Sequence, residues 1–311
     1  MLGRLGRYRI QDEPLEALVE SLDSEVPLLL EGNRGSGKSA MADALVQVCN
    51  LPKFHIQANR GIAVDEILFS WDRESQRDAA KEAKWTAEHL VLGEVLGAFD
   101  HVERTGELAL LQIDEVDKFE EQHQDTLLGL FQDGYHDVPR LTPDSRVGIR
   151  TPGRPWPIVV LTSNNRTLDR DEAVTIPLRS RCAYCWIPDP SPIEEIRIMK
   201  TRVPGAPDSL LRALVKLVDA LRGLGTIADK PGLRETIRLL TVLHGKGLTT
   251  IDQRAIERHL CHVAKNRDDS LNVRNASAFL ARAVALPNAR LDGLVDEAFS
   301  RESDRATEAV A

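Results

Sequence analysis

The chain has 311 residues, of which 42% are hydrophobic and 28% are charged, and its net charge is −8. This size and composition predict a soluble globular protein of about two domains. The negative charge argues against nonspecific DNA binding as the main activity, because such binding needs many Lys and Arg contacts to phosphates; a local basic strip remains compatible with it. No apolar run approaches ~18 residues and no secretory apolar core follows Met1, so we expect no membrane span and a cytoplasmic location.

A strand, a glycine-rich loop and a helix follow each other early in the chain. Residues 26–30 form an apolar run typical of a strand buried on both faces, and residues 40–49 are rich in helix formers. The loop between them matches G-x-x-x-x-G-K-[ST], whose backbone N–H groups surround phosphates at a helix N-terminus. Lys38 is expected to reach the β- and γ-phosphates of a nucleotide, and Ser39 is expected to bind Mg²⁺. The predicted nucleotide-binding residues here are Gly32, Asn33, Arg34, Gly35, Ser36, Gly37, Lys38, Ser39 and Ala40.

One helix is expected before the phosphate loop, and a second strand is expected after the helix that follows the loop. The first helix is expected to start near Asp12, and residues 54–57 are expected to form a second strand. Residues 58–99 have a helix-like composition that is interrupted at Gly61 and Gly93. We therefore predict a long helical segment with two interruptions over this stretch.

Two carboxylates follow a third apolar strand. Residues 108–113 form this strand, and Asp114 and Glu115 come directly after it. At the C-terminal edge of a parallel sheet, beside the phosphate loop, Asp114 can hold Mg²⁺ through water. Glu115 can then orient or deprotonate an attacking water. Alone this pattern is often only a strand end, but its position downstream of the loop favours the catalytic interpretation.

Polar residues also follow the fourth apolar strand, which closes the segment from residue 124 to residue 165. A helix is expected at residues 124–131, a hairpin insertion at 132–157 and a fourth strand at 157–162. Asn164 and Asn165 follow this strand, where an amide can meet the γ-phosphate or its water. For Asn165 a simple turn is the alternative.

The fifth strand is predicted to open at residues 178–182, and the Pro-rich segment 188–190 is predicted to be a domain boundary. Beyond it, apolar residues at helical spacing predict an all-α domain, with one helix starting near Pro231 and another capped by Asp252. One or two further helices are expected after Asn275. Cys182 and Cys185 spell C-x-x-C, but without a second pair a zinc or redox site is not favoured.

The chain resembles the AAA+ ATPases, and more narrowly their MoxR-like branch. The resemblance covers roughly residues 6–265. It rests on the phosphate loop and on Asp114-Glu115, Asn164, Arg181 and Arg234 in this order. Three phrases add to it, with the sequences PLLLEG before the loop, IDEVDK at the third strand and LTSN at the fourth.

The resemblance implies an α/β fold: a P-loop core with a five-stranded parallel sheet, then an all-α lid. It implies an ATPase core over residues 1–188, with a helix-2 insert at 58–93 and a presensor-1 hairpin at 132–157. The lid would span residues 189–270, followed by a helical extension at 271–311. It also implies a ring, usually a hexamer, with ATP bound between subunits.

The resemblance also implies roles for single residues. Lys38 and Ser39 belong to Walker A, Asp114 and Glu115 to Walker B, and Asn164 is sensor 1. Arg181 is the arginine finger that reaches a neighbour's γ-phosphate, with Arg179 as the second choice. Arg234 is the sensor 2 arginine; a cation in the first turn of a helix is unfavourable, which also favours a functional role. Phe69 and Trp71 of the implied insert are expected in the core, and projection into a ring pore is the alternative.

Three functions are compatible with these features. The first is an ATP-hydrolysing chaperone that remodels a protein client, with ATP and Mg²⁺ as cofactors and, as in MoxR-like proteins, a von Willebrand A-domain partner. The second is a nucleic-acid motor or loader, for which Arg140, Arg146, Arg150 and Arg154 form the basic cluster to test. The third is a scaffold that binds ATP and hydrolyses it slowly. A GTPase is disfavoured because no N-K-x-D motif is present.

Overall fold

The computed structural model describes residues 12–33, 35–72, 85–164 and 173–308. Its described chain divides into two compact units: the first ends at Pro188, and the second consists of Gly35, Ser36 and the residues from Asp189 onward. Within the described residues, no helix is long and apolar enough to cross a membrane.

A five-stranded parallel sheet forms the centre of the first unit. Its strands are β1 (Leu28–Glu31), β2 (Lys53–Gln57), β5 (Leu110–Asp114), β8 (Ile158–Ser163) and β9 (Ala183–Trp186), in the spatial order β2-β5-β8-β1-β9. This arrangement confirms the predicted α/β fold class. Because all five strands are parallel, the residues that follow β1, β5 and β8 meet at one edge.

The sheet is buried on both faces. Along β1, Leu29 packs in one apolar cluster while its neighbours Leu28 and Leu30 pack in another. β8 repeats this alternation, with Val159 on the first side and Val160 on the second. Successive side chains of a strand point to opposite faces, so the continuous apolar runs of these strands reflect two covered faces.

Helices of the first unit connect these strands. They are α1 (Asp12–Asp23), α2 (Lys38–Cys49), α3 (Val64–Leu68), α4 (Glu94–Thr105), α5 (Glu121–Asp133) and α6 (Ile176–Arg179), with short 3-10 turns at Ala87–His89 and Val116–Lys118. The start of α2 depends on Gly37, whose φ of 102° lies in the left-handed region that glycine adopts at little cost. This residue lets the chain turn from the phosphate loop directly into α2.

The prediction of a helical segment over residues 58–99 was correct for α3 and for residues 94–99 of α4, but it missed two strands in the described part. This segment contains the short helix α3, and then β3 (Phe69–Trp71) pairs antiparallel with β4 (Leu90–Leu92). Phe69 is buried, and the ring of Trp71 meets the ring of Trp85 edge-on with 4.8 Å between centroids. Both aromatic residues belong to the core region, as expected from the sequence.

A second antiparallel hairpin lies within the predicted insertion at 132–157. It consists of β6 (Tyr135–Asp137) and β7 (Arg146–Gly148). Glu103 of α4 fixes the segment after β7 because its carboxylate accepts hydrogen bonds from the backbone N–H groups of Arg150 and Thr151 at 3.0 and 3.1 Å.

The prediction that residues 178–182 open the fifth strand was also wrong. Arg179 ends the four-residue helix α6, and β9 begins only at Ala183. Pro177 in the first turn of α6 supplies a backbone angle suited to a helix start, which favours the helix over an extended chain. Arg181 therefore lies in the turn between α6 and β9.

The second unit is helical in its described part. Its helices are α7 (Pro192–Arg202), α8 (Asp208–Gly223), α9 (Leu233–Gly245), α10 (Gln253–Arg258), α11 (Arg267–Asn275), α12 (Ser277–Ala285) and α13 (Ala289–Glu308). They enclose one apolar cluster to which α8 contributes the side chains of Leu210, Leu214, Leu217 and Leu221. The apolar spacing of α8 was visible in the sequence; the start of α7, capped by Ser191 and Glu194, was not predicted.

Candidate functional site

Lysine 38 lies at the start of α2 and is almost completely buried, with 6% of its surface exposed. Its Nζ donates to the carbonyl oxygens of Gly32 and Asn33, both at 2.8 Å, and to Oδ1 of Asn164 at 3.2 Å. A buried ammonium is costly unless its protons are bonded, and these three oxygens accept its protons. The loop is thereby tied to the end of β8.

The loop itself has the backbone that the motif requires. Gly35 and Gly37 have φ values of 86° and 102°, which side chains with a Cβ rarely adopt. No neighbouring atom lies within 4 Å of a Cβ built on Gly35, so backbone conformation rather than space demands glycine there. Arg34, one of the predicted nucleotide-binding residues, lies outside the described residues, and so does Asn165.

Aspartate 114 ends β5 and collects hydrogen bonds from several elements. Its Oδ1 accepts from the hydroxyls of Ser39 and Thr162 and from Nε2 of Gln112, each at 2.9 Å. Its Oδ2 lies 3.1 Å from Nε2 of His55. Burial alone raises the pKa of Asp114, but these hydrogen bonds outweigh it and hold the pKa below the usual value of a carboxyl group. Asp114 is therefore an ionised carboxylate beside a hydroxyl oxygen.

Glutamate 115 has an unusual backbone and a fully engaged carboxylate. Its φ of 55° lies in the left-handed region, where a non-glycine residue costs on the order of 1 kcal/mol. Its backbone N–H donates to Oγ1 of Thr162 at 3.0 Å, which holds this conformation. Its Oε1 accepts from Nδ2 of Asn164 at 2.7 Å, and its Oε2 accepts from Nε2 of Gln57 at 2.8 Å and pairs with Lys118.

Asparagine 164 connects these two parts of the site. One amide atom accepts from Lys38, and the other donates to Glu115. Its backbone N–H donates to Oδ1 of Asp117 at 3.3 Å. Burial raises the pKa of Asp117, against hydrogen bonds from its own backbone, Asn164 and Ser163, and the charge of Glu115 raises it further. Asp117 thus helps to place the amide that the sequence had singled out.

Apart from Asp117, which supports Asn164, the residues that sequence reasoning missed support the two carboxylates. Gln112 and Thr162 hold Asp114 in place, and Gln57 and Lys118 hold Glu115. One signal was present for Gln112: it is a single polar residue in an apolar strand, two positions before Asp114 and so on the same face. Nothing local marked Gln57, because its role depends on β2 lying beside β5.

The two candidate arginines differ in their environments. Arg179 forms a two-point ion pair with Glu31, with Nη1–Oε2 and Nη2–Oε1 distances of 3.0 and 2.6 Å. Arg181 is exposed, and its Nη1 donates to the carbonyl oxygen of Pro177 at 3.1 Å. Arg179 is therefore committed within its own chain. Arg234 is the second residue of α9 and is exposed.

The C-x-x-C pair has the chemistry of buried thiols. Burial raises the pKa of Cys182 to about 12 and that of Cys185 to about 11. Thiols with such values are poor nucleophiles and poor metal ligands at neutral pH. Within the described part of the chain, His, Cys, Asp and Glu side chains form no group of three or more that could hold a metal ion.

The comparisons with known proteins agree with this geometry. The family model described as AAA domain (dynein-related subfamily) matches residues 27–182, which is half of the chain. This range begins just before the phosphate loop and ends just before β9, so it includes both carboxylates and Asn164. A search of curated proteins found no match. The chain therefore belongs to the AAA domain family, dynein-related subfamily, whose members are P-loop nucleotide-binding ATPases.

Proposed function

We propose that this protein is a Mg²⁺-dependent, ATP-hydrolysing AAA+ chaperone that remodels or activates a protein client and works as a ring with shared active sites. The observation that carries the proposal is the continuous network at one sheet edge. Lys38, Asp114, Glu115 and Asn164 are joined there by direct hydrogen bonds or through one shared side chain, Thr162. These are the groups that phosphoryl transfer to water requires.

The residues at this edge fit a magnesium ion. Ser39 and Asp114 bring a hydroxyl and an ionised carboxylate within 2.9 Å of each other. Mg²⁺ prefers hard oxygen ligands of this kind and usually binds through one or two protein groups plus phosphates and water. When bound, the ion would neutralise charge on the β- and γ-phosphates. Gln112 and Thr162 keep the Asp114 carboxylate in one orientation for this role.

Three side chains would act on the nucleotide and on water. Lys38 would exchange its bonds to the Gly32 and Asn33 carbonyls for bonds to phosphate oxygens. Glu115 would orient a water and accept its proton. Asn164 bonds to both residues, so it would relay the position of the γ-phosphate to the carboxylate.

The topology supports an arginine supplied by a neighbouring subunit. Arg181 precedes β9, and the first residue of β9 pairs with Leu28, the first residue of β1. The phosphate loop follows Glu31, the last residue of β1, which lies about 10 Å from Leu28 at 3.3 Å per residue. Arg181 and the phosphate loop therefore lie near opposite ends of β1. Arg181 is also free of ion pairs within the described part of the chain, whereas Arg179 is held by Glu31. Arg181 is therefore our choice for the finger.

The finer assignments follow the resemblance. The sequence resemblance points to the MoxR-like branch, and from that branch we expect a hexameric ring and a von Willebrand A-domain partner. Arg234 is proposed as the sensor 2 arginine because an exposed cation in the first turn of α9 opposes the helix dipole.

The structure gives no support to a nucleic-acid motor. The four arginines that could form a basic surface are engaged with their own unit. Arg146 and Arg150 pair with Asp144 at 3.5 and 3.2 Å, and Arg140 lies over the ring of Trp85 at 5.1 Å. Arg154 packs against Gly106. Phosphate contacts by these side chains would have to break these interactions first.

The test is the ATPase rate per subunit as a function of protein concentration. We expect the rate to rise through the assembly range, because an arginine finger in trans contributes about 10³–10⁵ in rate. Lys38→Ala should abolish nucleotide binding, and Glu115→Gln should keep binding but stop turnover, which separates an ATPase from a slow scaffold. A rate per subunit that is flat with concentration, or that survives Arg181→Ala, would contradict the shared site.

A further inference from the structure

The second unit contains an open cavity of about 450 Å³ beside α10. We call it the basic pocket; its lining includes the cations Lys246, Arg254 and Arg258 and the imidazole of His259. Lys246 directly follows α9, and Arg254 and Arg258 lie one turn apart on the same side of α10. Like charges at i and i+4 of a helix repel each other, so binding an anion between Arg254 and Arg258 would relieve this repulsion.

The cations of the basic pocket have no carboxylate partner among the residues that the structure describes. Lys246, Arg254 and Arg258 are exposed, and none of them forms an ion pair with the described residues. Asp252 is the one carboxylate among the described lining residues, and its Oδ1 accepts from the backbone N–H of Ala255 at 2.7 Å as the cap of α10. Three positive charges thus face one carboxylate that is already engaged.

Histidine 259 forms the buried wall of the basic pocket, with 6% of its surface exposed. Burial lowers its pKa, and the charges of Lys246, His262 and Arg258 lower it further. Both effects favour the neutral ring at neutral pH. The pocket therefore presents a neutral polar wall between exposed cations, and its positive potential comes from the lysine and the two arginines.

The lining also includes apolar side chains. Leu248 and Ala255 are partly buried beside the cations. A ligand that fills the pocket must therefore bring both negative charge and an apolar group. Peptides with Asp or Glu next to an aliphatic residue have this combination, and arginine matches carboxylates with two-point geometry.

Two other anions fit less well. Single-stranded nucleic acid needs aromatic faces for base stacking, and among the described lining residues the only ring is the buried one of His259. A free phosphate group gains from backbone N–H groups at the start of a long helix, but α10 has only six residues and the backbone N–H of Ala255 already donates to Asp252.

We propose that the basic pocket binds an acidic, partly aliphatic peptide segment of a partner protein, with carboxylates held by Lys246, Arg254 and Arg258 and an aliphatic side chain against Leu248 and Ala255. The inference deepens the proposed function, on which it rests, because it gives the chemistry of the protein segment that the ATPase engages.

The test is fluorescence anisotropy of a labelled peptide in which Glu alternates with Leu, titrated with the full chain. The pocket variant carries Lys246→Gln, Arg254→Gln and Arg258→Gln. The control variant carries Arg202→Gln, Lys230→Gln and Arg282→Gln, which removes the same charge at exposed positions of the same unit. We expect the pocket variant to bind about tenfold more weakly and the control to bind as the parent does, since three exposed ion pairs together contribute roughly this factor.

Three results would overturn the inference: equal losses in both variants, equal binding of a peptide with Gln in place of Glu, or pocket-dependent binding of a single-stranded oligonucleotide that exceeds that of the peptide. ATPase assays on the same samples separate the two proposals. Concentration-dependent turnover without pocket-dependent peptide binding rejects the pocket alone. Pocket-dependent binding without turnover rejects the ATPase and leaves the pocket as a peptide site.

Discussion

Arg179 and Arg181, which both precede β9, should give different phenotypes when each is replaced by alanine. The side chain of Glu31 is only 5% exposed, and Arg179 bonds to both of its oxygens. These bonds raise the pKa of Arg179 above its usual value. Arg179→Ala therefore leaves a buried carboxylate without its cation. Arg181→Ala removes one hydrogen bond from an exposed side chain.

The expected stability loss for Arg179→Ala follows from the burial of both partners. Breaking a fully buried ion pair costs about 3–5 kcal/mol. The side chain of Arg179 is 40% exposed, so water reaches one side of the pair and the loss should fall to about 2 kcal/mol. For a unit of this size, that corresponds to a decrease of about 4–8 °C in Tm. For Arg181→Ala we expect a change within ~0.5 kcal/mol.

The assay combines thermal unfolding, followed by circular dichroism, with ATPase rates at a fixed high protein concentration. Arg179→Ala should lower Tm. The double variant Glu31→Gln, Arg179→Ala should recover part of the loss, because the buried carboxylate of Glu31 is then no longer present. Arg181→Ala should leave Tm unchanged and reduce turnover at least a hundredfold if it is the finger. The reasoning is refuted if Arg179→Ala unfolds like the parent, or if Arg181→Ala lowers Tm by as much.

Two further predictions concern single groups. Iodoacetamide at pH 8 should label the exposed Cys49 and Cys261 of the native protein well before Cys182 and Cys185. Burial raises the pKa of Cys182 to about 12 and that of Cys185 to about 11, so few of these thiols are ionised at pH 8. Peptide mass spectrometry measures the order of labelling, and early labelling of Cys182 and Cys185 would contradict the prediction. Hydrogen bonds to Asp269, above all the one from the backbone N–H of Ala228, hold the pKa of its carboxyl group below the usual value. The ionised carboxylate therefore stabilises the second unit above about pH 4, and this stabilisation is lost as the pH falls through the lowered pKa. Asp269→Asn should flatten that part of the acid unfolding curve, and an unchanged curve would refute the reasoning.

The parallel core and the Walker residues could be predicted because their signals are local. The phosphate loop, Asp114-Glu115 and Asn164 each stand directly after an apolar strand, and parallel strands bring their carboxyl ends to one edge. The ion pair of Arg179 could not be predicted. It joins Glu31 to a residue 148 positions later, and it depends on β1 and β9 being neighbours.

The error over residues 58–99 has a different cause. β3 and β4 have three residues each, which is too short for an alternating pattern to be recognised against helix-forming neighbours. These strands form because Phe69 and Leu92 pair across the hairpin and pack on the core. Tertiary packing thus overrides the local helix preference there.

The central claim is that one active site combines Glu115 of one subunit with Arg181 of another. The most direct measurement is the ATPase rate of an equimolar mixture of Glu115→Gln and Arg181→Ala proteins, each inactive alone. In a randomly mixed ring, about a quarter of the interfaces pair an intact Glu115 with an intact Arg181, so we predict recovery of about a quarter of the parent rate. A mixture as inactive as its components, under conditions where labelled subunits are shown to exchange, would contradict the claim.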